Sequence, residues 1–275
     1  MMWPGNRWGG SALPVLVLCA CGSVAPVVGE PAFGQGYYRP PARSLIDAPT
    51  AGLMPAGTFE TCTRVFPGGG VEVRLDIGVQ DWLSIGGAYG GLQIIGDGEP
   101  DWYPEPGFFL RVRTVQETYG LPAIAIGIDT QGSGYYDRSR ERFQYKSRGI
   151  YVVASKNYAW LGDLTWHAGM SRSLEESDDR DITPFVGLQK SIASTWGLML
   201  EYDLAVNDNR KDGAFGKGRG YLNGGLSWAL APQVEVRLVV RDMLNNSEPI
   251  DAGHSDVIVD EGWGREISFS FLESF

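Results

Sequence analysis

A two-residue hydropathic period, repeated in about a dozen short segments, restricts the fold of this chain more than any other feature. Between residues 70 and 80, Val71, Val73, Leu75, Ile77 and Val79 alternate with Glu72, Arg74, Asp76 and Gln80, which gives a strand one apolar and one wet face. The same period predicts strands at Thr58 to Phe66, Gly70 to Gln80, Trp82 to Gly90, Gly107 to Glu117, Ala123 to Asp129 and Gly149 to Tyr158. It continues at Leu164 to Ser171, Ile182 to Lys190, Gly197 to Val206, Gly220 to Leu230, Val234 to Met243 and Glu266 to Phe271 or beyond. The expected fold is therefore all-β, with about twelve strands.

The connections then narrow the architecture. Gln80-Asp81, Tyr119 to Pro122, Trp160 to Asp163, Ala193 to Thr195 and Ala231 to Gln233 read as short turns. Segments 91–106, 130–148, 172–181, 207–219 and 244–265 between them are long and polar. Short turns at one end, long loops at the other and an even strand count describe a single up-and-down antiparallel transmembrane barrel, with periplasmic turns and outer loops. The first hairpin departs from this alternation, because Phe66-Pro67-Gly68-Gly69 makes a short turn on the outer side.

A soluble sandwich also alternates, but it turns its apolar faces to a common core. Two features favour lipid outside. The polar faces are dense in charge, and aromatic residues gather at strand ends: Trp82, Tyr89, Phe108, Tyr119, Tyr158, Trp160, Trp166, Trp196 and Trp228, as interfacial girdles require. The C-terminal alternation Ile267, Phe269, Phe271 with a final Phe275 resembles the strand that barrel-assembly machinery reads, although Glu273 interrupts it. Expected partners are outer-membrane lipid, that machinery and polysaccharide; the expected address is the outer membrane. The alternative is a periplasmic soluble barrel or sandwich binding a small ligand, which detergent-dependent extraction separates from the first.

Residues 1–29 carry one charge, Arg7, then an apolar stretch and small residues, the pattern of a secretory signal peptide. Leu18-Cys19-Ala20-Cys21 offers a lipobox in which Cys21 is lipidated, in competition with ordinary cleavage. Residues 30–57 are expected to be an extended lead-in rich in Pro and Gly, followed by the barrel over 58–275. Beyond the signal region only Cys62 remains, so no internal disulfide is available. With 33 Asp and Glu against 23 Lys and Arg, the chain lacks the basic surface a nucleic-acid partner needs.

Alternation sends Leu75, Ile77, Leu110, Val112, Leu200, Leu204, Leu238 and Val240 towards lipid. It sends Glu72, Arg74, Asp76, Arg111, Arg113, Glu201, Asp203, Glu235, Arg237 and Arg241 inward. A twelve-stranded bore is narrower than that of a diffusion porin, so these charges are expected to pair across it and fill it, leaving little steady conductance.

Catalytic chemistry is not expected, nor a cofactor or metal. His167 falls on a polar strand face, and Gly169 stands where an outer-membrane lipase barrel needs its serine; His254-Ser255 has the wrong spacing. The acidic run from Glu175 to Asp181 reads as a solvated loop, and Arg210 spoils the calcium-like spacing of the 207–213 segment.

Three stretches resemble the YjbH-like family of outer-membrane barrels: Ser44 to Gly52, Leu121 to Asp129, and Val152-Val153-Ala154-Ser155-Lys156-Asn157-Tyr158. The resemblance implies a barrel fold, an outer-membrane address and a link to exopolysaccharide production. It transfers no catalytic residue. The function expected is non-enzymatic, in envelope structure or in polysaccharide or small-solute export.

Overall fold

The computed structural model describes residues 40–175, 179–209, 216–247 and 263–275. The signal region with Cys21, residues 30–39, residues 176–178 of the acidic run, residues 210–213 of the calcium-like segment and His254 lie outside them.

Twelve strands close into one antiparallel barrel. They are β1 (Thr58–Phe66), β2 (Gly70–Gln80), β3 (Leu83–Leu92), β5 (Gly107–Val115), β6 (Ala123–Asp129), β9 (Gly149–Ala159), β10 (Asp163–Arg172), β11 (Thr183–Ser191), β12 (Trp196–Asp203), β13 (Tyr221–Ala229), β14 (Val234–Arg241) and β15 (Gly264–Ser274). Three short strands sit within the long connections: β4 (Asp101–Trp102), β7 (Ser133–Asp137) and β8 (Arg142–Tyr145). Each barrel strand pairs with its neighbours in sequence, and β15 closes the ring on β1 in unbroken register from Val65↔Ile267 to Thr58↔Ser274. Glu273 stays within that ladder opposite Phe59, so it does not shift the register.

Burial runs opposite to that of a water-soluble protein. Along β12, Gly197, Met199 and Glu201 are buried while Leu198 and Leu200 are exposed. Around the ring Ile126, Val186, Leu238 and Phe269 are also exposed, whereas Arg241, Arg111 and Glu72 are buried. Such a contiguous apolar outer belt needs lipid against it. Leu75, Leu200, Leu204 and Leu238 are exposed on this belt, with Ile77, Leu110, Val112 and Val240 half-buried among their neighbours. Aromatic pairs mark both rims. Trp196 stacks on its cross-strand partner Trp228 at 4.9 Å near the short turns, and Tyr89 stacks on Trp102 at 5.8 Å near the long loops.

Several strand ends differ from the sequence reading for local reasons. β12 stops at Asp203 rather than Val206 because Ala205 takes φ 47°, with its N–H held by Asp203 Oδ1 at 2.8 Å. Left-handed backbone cannot continue a strand. β14 stops at Arg241 for the same reason, since Asp242 has φ 51° and its carboxylate accepts the N–H groups of Asn246 and Ser247. The tight β1–β2 turn depends on Gly68 and Gly69 at φ 78° and 65°.

At the long-loop end the described loop residues pack against one another. Phe143 from β8 packs edge-on against Tyr103 at 4.8 Å and joins Phe66 and Leu92 in a buried cluster. Arg142 is fully buried and pairs with Asp208 at 2.7 Å, and the same carboxylate accepts the Tyr221 hydroxyl. Glu175, half-buried, accepts the N–H groups of Phe143 and Ser147 at 2.8 and 2.7 Å, so this end of the acidic run is tied into the loop packing. Its burial pushes the carboxyl pKa up, against the pull of the Ser147 and Phe143 donors.

Candidate functional site

The described residues of the lead-in, 40–57, lie inside the barrel. They enter the lumen from the short-turn end, reverse as a tight hairpin at residues 44–49, and return to start β1. The reversal is closed by Leu45 N–H to Ala48 O and Thr50 N–H to Arg43 O, both at 3.0 Å, with a bridge between Ser44 and Pro49. A short backbone loop inside a barrel needs its polar groups satisfied, and the wall supplies the partners.

Glu201, 1% exposed, makes the central contact. Its carboxylate accepts the backbone N–H groups of Ile46, Asp47 and Ala48 at 2.8 to 3.1 Å, and the Asn223 amide at 2.8 Å. Other strands hold the hairpin's limbs. Ser155 Oγ accepts Ala51 N–H at 2.8 Å, Ser84 Oγ accepts Met54 N–H at 3.1 Å, and Arg111 donates to Gly52 O at 3.0 Å. Arg237 donates to the carbonyls of Ser44 and Leu45 at 3.3 and 3.1 Å. The hairpin returns charges of its own: Asp47 takes a two-pronged contact from Arg241, and Arg43 pairs with Glu60 and Asp76.

The wall is shaped for this insert. A Cβ on Gly187 would lie 2.2 Å from Leu45 Cδ1, and one on Gly78 would lie 1.9 Å from Pro55 O. Leu45 is 1% exposed, so the notch at Gly187 is where it packs. Gly187→Val should push Leu45 out of that notch at a cost of about 1 to 3 kcal/mol. The expected result is a lower melting temperature and faster thiol modification of Cys62, which lines the cavity beside the hairpin; unchanged values for both would show that Leu45 does not anchor the insert.

The residues read from the sequence as an inward charge network have these places. Glu72 pairs with Arg64 at 2.9 Å, Arg74 with Asp129, Asp203 with Arg148, and Glu235 with Arg237 at 2.6 Å. Asp76, Arg111, Glu201, Arg237 and Arg241 contact the hairpin. Arg113 reaches the turn carbonyl of Asp81 at 2.7 Å, at the short-turn rim. Arg111, Glu201 and Arg237 therefore meet inserted backbone, and Asp76 and Arg241 meet hairpin side chains. Sequence reasoning did not single out Arg43, Asp47, Glu60, Arg64, Asp129, Arg148 and Glu266. Glu60 and Arg64 share the inward face of β1 with Cys62, so alternation carried their signal; for Arg43 and Asp47 no period exists to read.

His167 is buried, and its Nδ1 lies 2.8 Å from Ser155 Oγ. That hydroxyl also accepts the Ala51 N–H. The pair thus takes part in holding the hairpin, beside a vestibule of about 470 Å³ at the short-turn end.

Among solved structures the chain is similar to the KdgM porin, at 11% identity and a TM-score of 0.49, covering 79% of this chain and 99% of that one. It is also similar to the outer membrane protein Omp33 of Acinetobacter baumannii, at 7% identity and a TM-score of 0.42 over 79% and 97% of the two chains. The NanC porin follows at 12% and 0.40 over 79% and 99%. A search of curated proteins found no match. Residues 42–181, spanning the lumenal hairpin and strands β1 to β10, match the profile of the YjbH family, described as exopolysaccharide biosynthesis protein YbjH, and the chain belongs to that family.

Proposed function

We propose that this chain serves in the outer membrane as a non-enzymatic barrel, shut by its own N-terminal hairpin, for polysaccharide or small-solute export. Passage through the lumen then depends on withdrawal of the hairpin towards the short-turn, periplasmic side. The observation that carries this reading is the Glu201 carboxylate holding three consecutive backbone N–H groups at the hairpin tip. A segment held by side chains of many different strands is a fitted closure, yet none of its backbone joins the barrel ladder except where it leads into β1. It can leave without opening the ring. The family's description supplies the link to exopolysaccharide, and the apolar belt is what an outer-membrane address requires.

Planar-bilayer recording of the purified full-length protein tests this. Little or no steady current is expected. Large, stable single-channel currents from the wild type would refute a closed ground state.

A further inference from the structure

We propose that the cavity between the hairpin and the wall of β14, β15, β1 and β2 binds a carboxylate-bearing ligand of the uronic-acid type, and that Asp47 is its built-in occupant. This rests on the reading of the hairpin as a removable closure. The cavity measures about 110 Å³. Eight cationic side chains against six carboxylates line it, in a chain whose net charge is −10. Arg148 and Arg237 also pair with Asp203 and Glu235 outside that lining, so the charges balance, and it is the arginine geometry around Asp47 that favours a carboxylate.

The residues around Asp47 show how such an anion is held. Arg241 presents both terminal nitrogens to the Asp47 carboxylate, one at 2.8 Å, and Arg64 Nη1 stands 3.4 Å away. Arg148 Nε donates to the Asp47 carbonyl at 3.2 Å. A planar guanidinium fork matches a carboxylate in geometry as well as charge. Each of these arginines also has a wall partner: Glu72 for Arg64, Glu266 for Arg241 and Asp203 for Arg148. The cluster therefore stays in place when Asp47 leaves, and the outer face of Arg241 becomes free for another carboxylate. Hydroxyl groups of Ser133, Ser268 and Ser270 line the same cavity and suit the hydroxyls of a sugar ring.

Two probes that differ by one carboxylate test the site: D-glucuronate and D-glucose, titrated calorimetrically into the full-length barrel in detergent. Glucuronate should bind and glucose should not, and Asp47→Asn should tighten glucuronate by about tenfold, the effect of removing a competitor worth one decade. A measurement that needs no variant uses Cys62. Glucuronate should slow its modification by an anionic thiosulfonate reagent, and glucose should leave the rate unchanged. Equal protection by both sugars, or an Asp47→Asn affinity equal to wild type, would overturn the proposal. If excision of the hairpin opens the barrel but glucuronate neither binds nor protects, the site falls and the closure stands. If excision leaves the barrel silent while glucuronate still protects Cys62, the closure falls and the site stands.

Discussion

Replacing residues 44–49 with a Gly-Ser linker of equal length should turn a silent barrel into one that shows stable single-channel steps. The barrel should still assemble, because its twelve-strand ring is closed by β1–β15 pairing, in which the hairpin has no part. It should also be less stable, since Glu201, Arg237 and Arg241 lose buried partners; stranding a buried charge is costly. Bilayer recording gives the first outcome, and heat-modifiable migration on gels checks that the variant is folded. Glu201→Ala is the graded version. It removes the acceptor of three consecutive N–H groups, each worth about 1 to 3 kcal/mol if left buried and unpaired, and should produce flickering openings. A folded excision variant that stays silent would overturn the hairpin as the closure and assign the barrier to the packed loops around Arg142 and Phe143.

Leu200→Arg should cost about 2 to 4 kcal/mol and impair assembly if Leu200 sits near the bilayer midplane. Leu200 is 44% exposed on the outer face of β12, roughly 13 Å along the strand from the rim residue Trp196 at about 3.3 Å per residue. Its register partners are Leu188 and Gly224, so no acid stands opposite to receive the guanidinium. Leu200→Phe, which keeps the surface apolar, should fold like the wild type. Denaturant titration in vesicles measures both, and equal stability of the two variants would remove Leu200 from the lipid face. The next residue shows that the two faces follow different rules. Glu201 looks like one more interchangeable polar group on the wet face, yet it is the residue that holds the hairpin. Alternation alone predicts that Glu201 tolerates polar replacement; with these contacts a loss of stability is expected instead.

The lipid-facing and lumenal sides of the strands were legible from the chain alone because a strand repeats every two residues. Val73 and Leu75 fall outward, Glu72 and Asp76 inward, by local geometry that no distant contact alters. The short turns were legible for a similar reason, as at Gly68 and Gly69, where the backbone itself demands glycine. Residues 40–57 carry no such period. Pro40, Pro41, Pro49 and Pro55 suit an irregular path, and nothing local says whether that path lies outside the barrel or within it. Only the closed ring decides, by bringing Glu201, Arg111, Ser155, Ser84 and Arg237 from separate strands to one segment. The alternation showed that these side chains point inward. What they meet there depends on contacts between residues as far apart as Asp47 and Arg241, which no local pattern encodes.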